Sequence, residues 1–521
     1  MSGRQAMRFL AAVVLLASGQ RAWADLKVAP VFGSHMVLQQ GMKVPVWGTA
    51  DPGEKITVKF QDQESPTTAD DKGRWMVKLD SMKAAPKQKG TTLVVVGQKK
   101  TVTFTDVLLG EVWLCSGQSN MQWNMGQSDA EDDITSADLP DIRHRGNGGT
   151  WTVCSPKSVP GFTAVGFYFA RKVHKETGLP IGLLDNAIGG TAIEPWLAPG
   201  SYEKVAELRP MLDAQQARVE QYNKQIGLHL DKIEKWVKTT RQVLEAKKDA
   251  PPPPVFPLYP VSPFTMLYRG FTEPLRPYAV RGMLWYQGES NGNEGDIYFH
   301  KMKALIDGQR KAWDQGDFSV YVVQLPQIGG ISTNPEGGDG WSRIRVAQSK
   351  CLTIPNTGVA VTIDIGDPTD IHPRNKKDVG ERLALWALAK DYGKKDLVYS
   401  GPTYKGMKVE GDKARLSFDH VGGGLMVGTK AGKKLTQEAK DGKLQRFAVA
   451  GADGKWFWAE ATIEGADVIV SSQNVKEPVA VRYAYQNIPA GANLYNREGL
   501  PASPFRTDDG KPLASPKKPG K

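Results

Sequence analysis

The stretch WLCSGQSNMQW, residues 113–123, runs as an apolar strand, turns through a glycine and ends in small polar side chains where a helix has room to start. Ser116, Gln118, Ser119 and Asn120 fall within five residues. Two readings compete. One is a loop that only satisfies its own hydrogen bonds; the other is a serine held out at a sheet edge as a nucleophile. The residues around this stretch decide between them.

From about 106 to 395, short apolar strands ("VLLGEVWLC", "PIGLLDNAIGG", "AVRGMLWYQGES", "SVYVVQLP", "TGVAVTIDIG") alternate with helical patterns such as "GFTAVGFYFARKVHKETG". That alternation predicts an α/β domain with a parallel sheet covered on both faces, where ligands lie beyond the carboxyl ends of the strands. Residues 25–105 read as a β-sandwich-like module. Ile56, Val58 and Phe60, then Trp75, Val77 and Leu79, alternate with polar neighbours between Asp-Pro-Gly and Asp-Lys-Gly turns. Residues 201–255 form a helical insertion: Val219, Tyr222, Ile226, Leu230, Ile233 and Val237 recur every three or four positions until Pro251–Pro254 stop the helix. A packed arm or lid bordering the site is expected. Residues 396–505 return to β structure, with a hairpin turning near Asp453-Gly454, and 506–521 read as a disordered tail.

Residues 1–24 have the form of a signal peptide, with Arg4 and Arg8 before an apolar run and Ala22-Trp23-Ala24 as cleavage site. The expected protein is exported, periplasmic or extracellular, with no membrane association after cleavage. The formal charge of +11 is spread thin, with no basic stripe interleaved with aromatics, which argues against nucleic acid as a partner. Three cysteines, Cys115, Cys154 and Cys351, are too few for a disulfide scaffold or a structural zinc site. Cys115 is expected in a strand core, and Cys154 with Cys351 is the one pairing open to an oxidising compartment. No metal site and no cofactor are expected. Oligomeric state is not encoded in any of these features.

A serine nucleophile needs a base, usually histidine. Of seven histidines, His35 lies in the N-terminal module, His174, His229 and His300 on helices, His144 in a polar loop and His420 in the C-terminal module. Only His372, in "DIGDPTDIHPRNKKDVGERLA", follows a buried strand of the central domain, although a helix-capping turn would look the same. "WYQGESN", 285–291, puts Glu289 at another strand end, which by itself is no more than a turn. "DNAIGGTAIEPW", 185–196, brings Gly189-Gly190, whose backbone allows close approach by an oxyanion. Helix capping by Thr191 is the plain alternative and is compatible with it.

These four motifs in this order resemble the sialate O-acetylesterase family of SGNH-type carbohydrate esterases, over roughly the whole mature chain. The resemblance implies a flavodoxin-like three-layer hydrolase domain with a helical insertion, flanked by β-rich modules. It implies Ser119, not Ser116, as nucleophile and His372 as base. Ser119 and Gly190 N–H groups would form the oxyanion hole, and Gln118, Asn120 and Gln287 would line the substrate. Two departures stand out. Thr369 occupies the place of the usual acid three residues before the histidine, leaving Asp370, Glu289 or a backbone carbonyl to orient His372. Ser290 stands where the oxyanion asparagine is expected, leaving Asn291 or Asn120 as the side-chain donor. The implied partner is an O-acetylated sugar or glycan, sialic acid by the family's name and acetyl xylan as the alternative. A non-catalytic glycan-binding protein, or a glycosidase using Glu289 with Asp367 or Asp370, are the readings from other classes.

Overall fold

The computed structural model describes residues 25–257 and 262–508, so the expected signal peptide and most of the expected tail lie outside the described residues. At the centre is a sheet of β1 (Thr101–Gly117), β2 (Ile142–Arg145), β3 (Trp151–Val153), β4 (Ile181–Ala187), β5 (Gly282–Tyr286), β6 (Ser319–Val323) and β7 (Thr357–Ala360). Its order is β3-β2-β4-β1-β5-β6-β7, all parallel except the edge strand β3. Leaving aside the β2–β3 hairpin, this is the doubly wound 2-1-3-4-5 order, whose switch point lies beside the first strand.

β1 is long because it serves two sheets. Its first half pairs antiparallel with Thr91–Val96 of the N-terminal module, its second half parallel with β4 and β5. The boundary expected near 105 therefore falls inside one continuous strand. The N-terminal module has two sheets, with Ile56, Val58, Phe60, Trp75, Val77 and Leu79 buried as their alternation requires, and its core is continuous with that of the central domain.

Apart from one short helix at Glu131–Thr135, the α-helices among the described residues are α1 (Ser119–Gln122), α2 (Ala164–Thr177), α3 (Arg209–Glu245), α4 (Ile297–Trp313), α5 (Ser342–Lys350) and α6 (Lys376–Lys390). On one face α2 and α6 meet so closely that a Cβ on Gly380 would sit 2.6 Å from the Val165 carbonyl. α2 ends at Gly178 with φ of 70°, as its Gly-Leu-Pro stop signal predicts. On the opposite face Trp285 of β5 meets Trp196 edge to face, and α4 and α5 complete the third layer.

The C-terminal strands build a second core, to which Val361 and Ile363, just past β7, contribute. Arg345 of α5 ties this core to the central domain: fully buried, it donates to the carbonyls of Leu325, Pro326, Gln486 and Asn487. Burial lowers its pKa to about 9. The Phe447–Ala450 and Trp456–Trp458 hairpin forms as expected. Phe505–Arg506 is a strand and Asp508 pairs with Arg482 at 2.8 Å, so the ordered chain continues past the expected limit at 505.

Three other expectations are corrected. Cys154 and Cys351 are both buried free thiols, each donating to a carbonyl within its own neighbourhood, Ala137 and Ala347, so they do not pair. His144 is not in a loop; it is buried in β2 and stacked on Phe162. The insertion is one 37-residue helix, but its apolar positions are not all packed: Leu230 remains 49% exposed and Val237 36%. Its first turn packs on the main core through Met211 and Leu212. Farther along it meets its own returning proline segment, with His229 against Phe256 and Trp236 Nε1 donating to the Pro251 carbonyl at 2.9 Å.

Candidate active site

Ser119 is the first residue of α1, two residues past the end of β1. The turn depends on Gly117, whose φ is 136° and where a Cβ would lie 2.1 Å from the Tyr286 carbonyl. Only glycine lets β1 run this close to β5. Ser116 is spent inside the sheet, its Oγ donating to the Asn186 carbonyl at 3.0 Å. Ser119 is half-buried, and its N–H, opening a helix, has no intrahelical acceptor.

His372 stands on the loop between β7 and α6, and its Nε2 lies 2.9 Å from Ser119 Oγ. Trp123, one turn after Ser119, lies flat against the imidazole, with centroids 4.8 Å apart and planes 13° from parallel. Asp370 approaches the other ring nitrogen, Oδ1 lying 3.7 Å from Nδ1, and accepts from the His372 backbone N–H at 2.8 Å. Thr369, at the place of the usual acid, only closes the loop by donating to Asp367 at 2.8 Å. Burial, then the Lys376 charge, hold His372 below its ordinary pKa of 6.5, against Asp370.

Glu289 is not beside His372. Its Oε1 accepts from Asn120 Nδ2 at 2.6 Å, while Oε2 is buried with no partner among the described residues. Burial pushes this carboxyl above its usual range. Asn120, also fully buried, spends its other bonds on the Ile371 carbonyl at 3.0 Å and on Lys376 Nζ, which donates to Oδ1.

The remaining polar motif residues are likewise internal. Gln287 donates to Gln118 Oε1, the Thr191 carbonyl and Asn291 Oδ1, and accepts from the Tyr298 hydroxyl. Asn291 accepts at Oδ1 from the Ile193 N–H at 3.0 Å and donates from Nδ2 to Glu194 and Glu294, both at 3.1 Å. With every bond engaged, Asn291 is not placed to donate to an oxyanion. Asn120 and Gln287 have their amide groups engaged in the same way, and Gln118 is held at Oε1 by Gln287 and the Ser290 N–H. Together they form a buried framework beneath Ser119.

The glycine turn after β4 lies beside Ser119. A Cβ on Gly189 would lie 3.3 Å from Ser119 Cβ, and the Gly189 N–H is taken by Gln122 Oε1 at 2.8 Å. Gly190 is exposed with φ of 71°. The site therefore combines a serine–histidine contact, a helix-opening N–H and an exposed glycine turn at the carboxyl ends of β1, β4, β5 and β7. Trp123, Gln122 and Lys376 are the neighbours that sequence reading missed. Trp123 and Gln122 lie within or just after the serine motif, a turn along α1. Lys376 follows His372 by four residues in a run of charges that reads as solvated surface.

Sheet order and site location define an SGNH-type α/β hydrolase. The model of the family described as carbohydrate esterase, sialic acid-specific acetylesterase, matches residues 109–221 and 263–389. The sialate O-acetylesterase of Mus musculus is 26% identical over 95% of this chain and 96% of its own length, and that of Homo sapiens 26% over 93% and 94%. The crystal structure of a carbohydrate acetylesterase from Xanthomonas citri superposes with a TM-score of 0.74 at 33% identity, covering 93% of this chain and 99% of that one. The chain belongs to the sialic acid-specific acetylesterase family of carbohydrate esterases. It is a carboxylic ester hydrolase acting on carbohydrate acetyl groups.

Proposed function

We propose that the protein is an exported serine esterase that removes O-acetyl groups from sialic acids. The observation that carries the mechanism is the 2.9 Å contact between Ser119 Oγ and His372 Nε2. His372 takes the Ser119 proton as Oγ attacks the acetyl carbonyl, and the N–H groups of Ser119 and Gly190 receive the oxyanion. Collapse breaks the bond to the sugar oxygen, which leaves as a hydroxyl with the proton from Nε2. His372 then deprotonates a water that attacks the acetyl carbonyl, and the same proton returns to Ser119 Oγ as acetate leaves. Asp370 favours the imidazolium formed in each half, and Trp123 holds the ring plane.

His372 must be neutral to accept a proton. Because its pKa is lowered, the neutral form persists to lower pH than for an exposed histidine. Activity should stay near maximal through neutrality and fall only below the ordinary histidine range; a kcat/KM profile falling off above pH ~6.5 would contradict this.

Sialic acid as substrate rests on the relatives' activity and on an exposed cation near the site. Arg374, two residues past His372, is exposed and among the described residues is paired only with Asp129, at 3.9 Å, leaving it able to meet a sugar carboxylate. Acetyl xylan is the second reading, because the same serine–histidine chemistry serves any sugar acetyl ester and the sugar is chosen by the surrounding loops. Acetate release from O-acetylated sialoglycan and from acetylated xylan separates the two. Turnover of the sialoglycan, weakened by Arg374→Ala, supports the first, and turnover of xylan alone the second.

A further inference from the structure

Lys376 has a buried amino group that nothing in the esterase reading requires. It is 1% exposed, and taking an ammonium out of water costs several kcal/mol unless it is partnered. Its partners are Asn120 Oδ1 and two ring faces, Trp123 at 5.4 Å and Tyr286 at 5.5 Å. Among the described residues no carboxylate lies within ion-pair distance of it. The negative charge comes through Asn120, whose Nδ2 donates to Glu289.

This arrangement fixes an amide that would otherwise have two orientations. An ammonium only donates and a carboxylate only accepts, so Asn120 must turn Oδ1 to Lys376 and Nδ2 to Glu289. The same Nδ2 then donates to the carbonyl of Ile371, the residue before His372. Asn120 itself follows Ser119. One side chain therefore spans the backbone of the nucleophile and the backbone of the base, and the buried Lys376 amino group and the Glu289 carboxylate set its orientation.

We infer that Lys376, Asn120 and Glu289 are a positioning chain that sets the Ser119–His372 distance and places a buried cation beside the imidazole. The inference rests on the serine-esterase reading and assigns Glu289 the part of an acceptor for Asn120, not of an acid or base. The charged groups around His372 are Asp370 on its own loop and Lys376 on α6, with Glu289 from the β5 turn and Asp370 both acting on Lys376. Burial lowers the Lys376 pKa to about 7, so it is charged on the acid side of the profile, where it opposes His372 protonation.

The test uses a small aryl acetate, the full chain, and the variants Lys376→Met, Glu289→Gln, Glu289→Leu and Ser119→Ala, each with its melting temperature. Misplacement of a reacting group by about 1 Å costs ~100-fold, so Lys376→Met should lower kcat by ten- to a hundredfold with little change in KM. Its acid limb should move to higher pH, because burial still lowers the His372 pKa but the added repulsion from Lys376 is gone. Glu289→Gln, which keeps an acceptor for Asn120, should lose less kcat than Glu289→Leu. A Lys376→Met enzyme with wild-type kcat and an unmoved acid limb overturns the inference. So does a lowered melting temperature with kinetics intact, or Glu289→Gln as damaging as Glu289→Leu. If Lys376→Met does not fold, the two Glu289 variants decide alone. Activity retained by Ser119→Ala would instead defeat the underlying reading, whatever Lys376 does.

Discussion

The turn at the ends of β1 and β5 and the helix α3 are both patterned stretches of sequence, yet they are built in opposite ways. Beneath Ser119, the side chains of Gln118, Asn120, Gln287 and Asn291 are buried and bonded to one another or to the backbone. Along α3, only His229 and Thr240 are buried, and Leu228, Leu230 and Leu244 face outward. The first region tolerates no error because each lost bond strands another polar atom away from water. The second touches the main core only in its first turn, through Met211 and Leu212, and beyond that meets its own proline segment, so its far part can change without disturbing the sheet. A run of polar residues can thus be more buried than a run of leucines, when each polar atom has a partner.

The contrast can be broken most readily at Gly117. Valine there would force a Cβ into the Tyr286 carbonyl at a φ that L-residues rarely adopt, and is expected to cost ~4 kcal/mol or more. A melting temperature near wild type would show that the turn relaxes. Next is Asn291→Ala. It leaves Glu194 short of one donor and the Ile193 N–H without an acceptor, while Lys301 stays bonded to both Glu194 and Glu294. Loss of these buried bonds should cost ~2–4 kcal/mol in denaturant unfolding, and a loss below ~1 kcal/mol would mean water replaces the amide. The smallest effect should come from the arm: Leu230→Glu is expected to stay within ~0.5 kcal/mol of wild type. A larger loss would show that α3 has a partner its exposed face does not reveal.

Much of the architecture was legible because strands and helices alternate with stop signals that the fold obeys, such as Gly178 and the Asp453-Gly454 turn. His372 stood out because it is the one histidine that follows a central strand, whereas Ser119 was chosen over Ser116 by the resemblance of its motif; the structure brings the two within 2.9 Å. The surrounding roles were not legible. Glu289, Asn120, Gln118, Gln287 and Asn291 are residue types that line substrates as readily as they brace loops, and the choice depends on which atoms are already bonded. Lys376 was invisible for the opposite reason: next to Arg374, Lys377 and Asp378 it has the composition of solvated surface, and only the closure of α6 under Trp123 encloses it. The boundary near 105 was misread because β1 changes sheets without changing its strand pattern.

The most direct measurement is acetate release from a small aryl acetate by wild type, Ser119→Ala and His372→Ala, without added metal, each confirmed folded by its melting temperature. Loss of either member of a serine–histidine pair typically lowers kcat by ~1000-fold or more, and the account predicts that loss in both variants with a fully active wild type. Equal turnover in all three, or none in any, would contradict the assignment of Ser119 and His372 as the reacting pair.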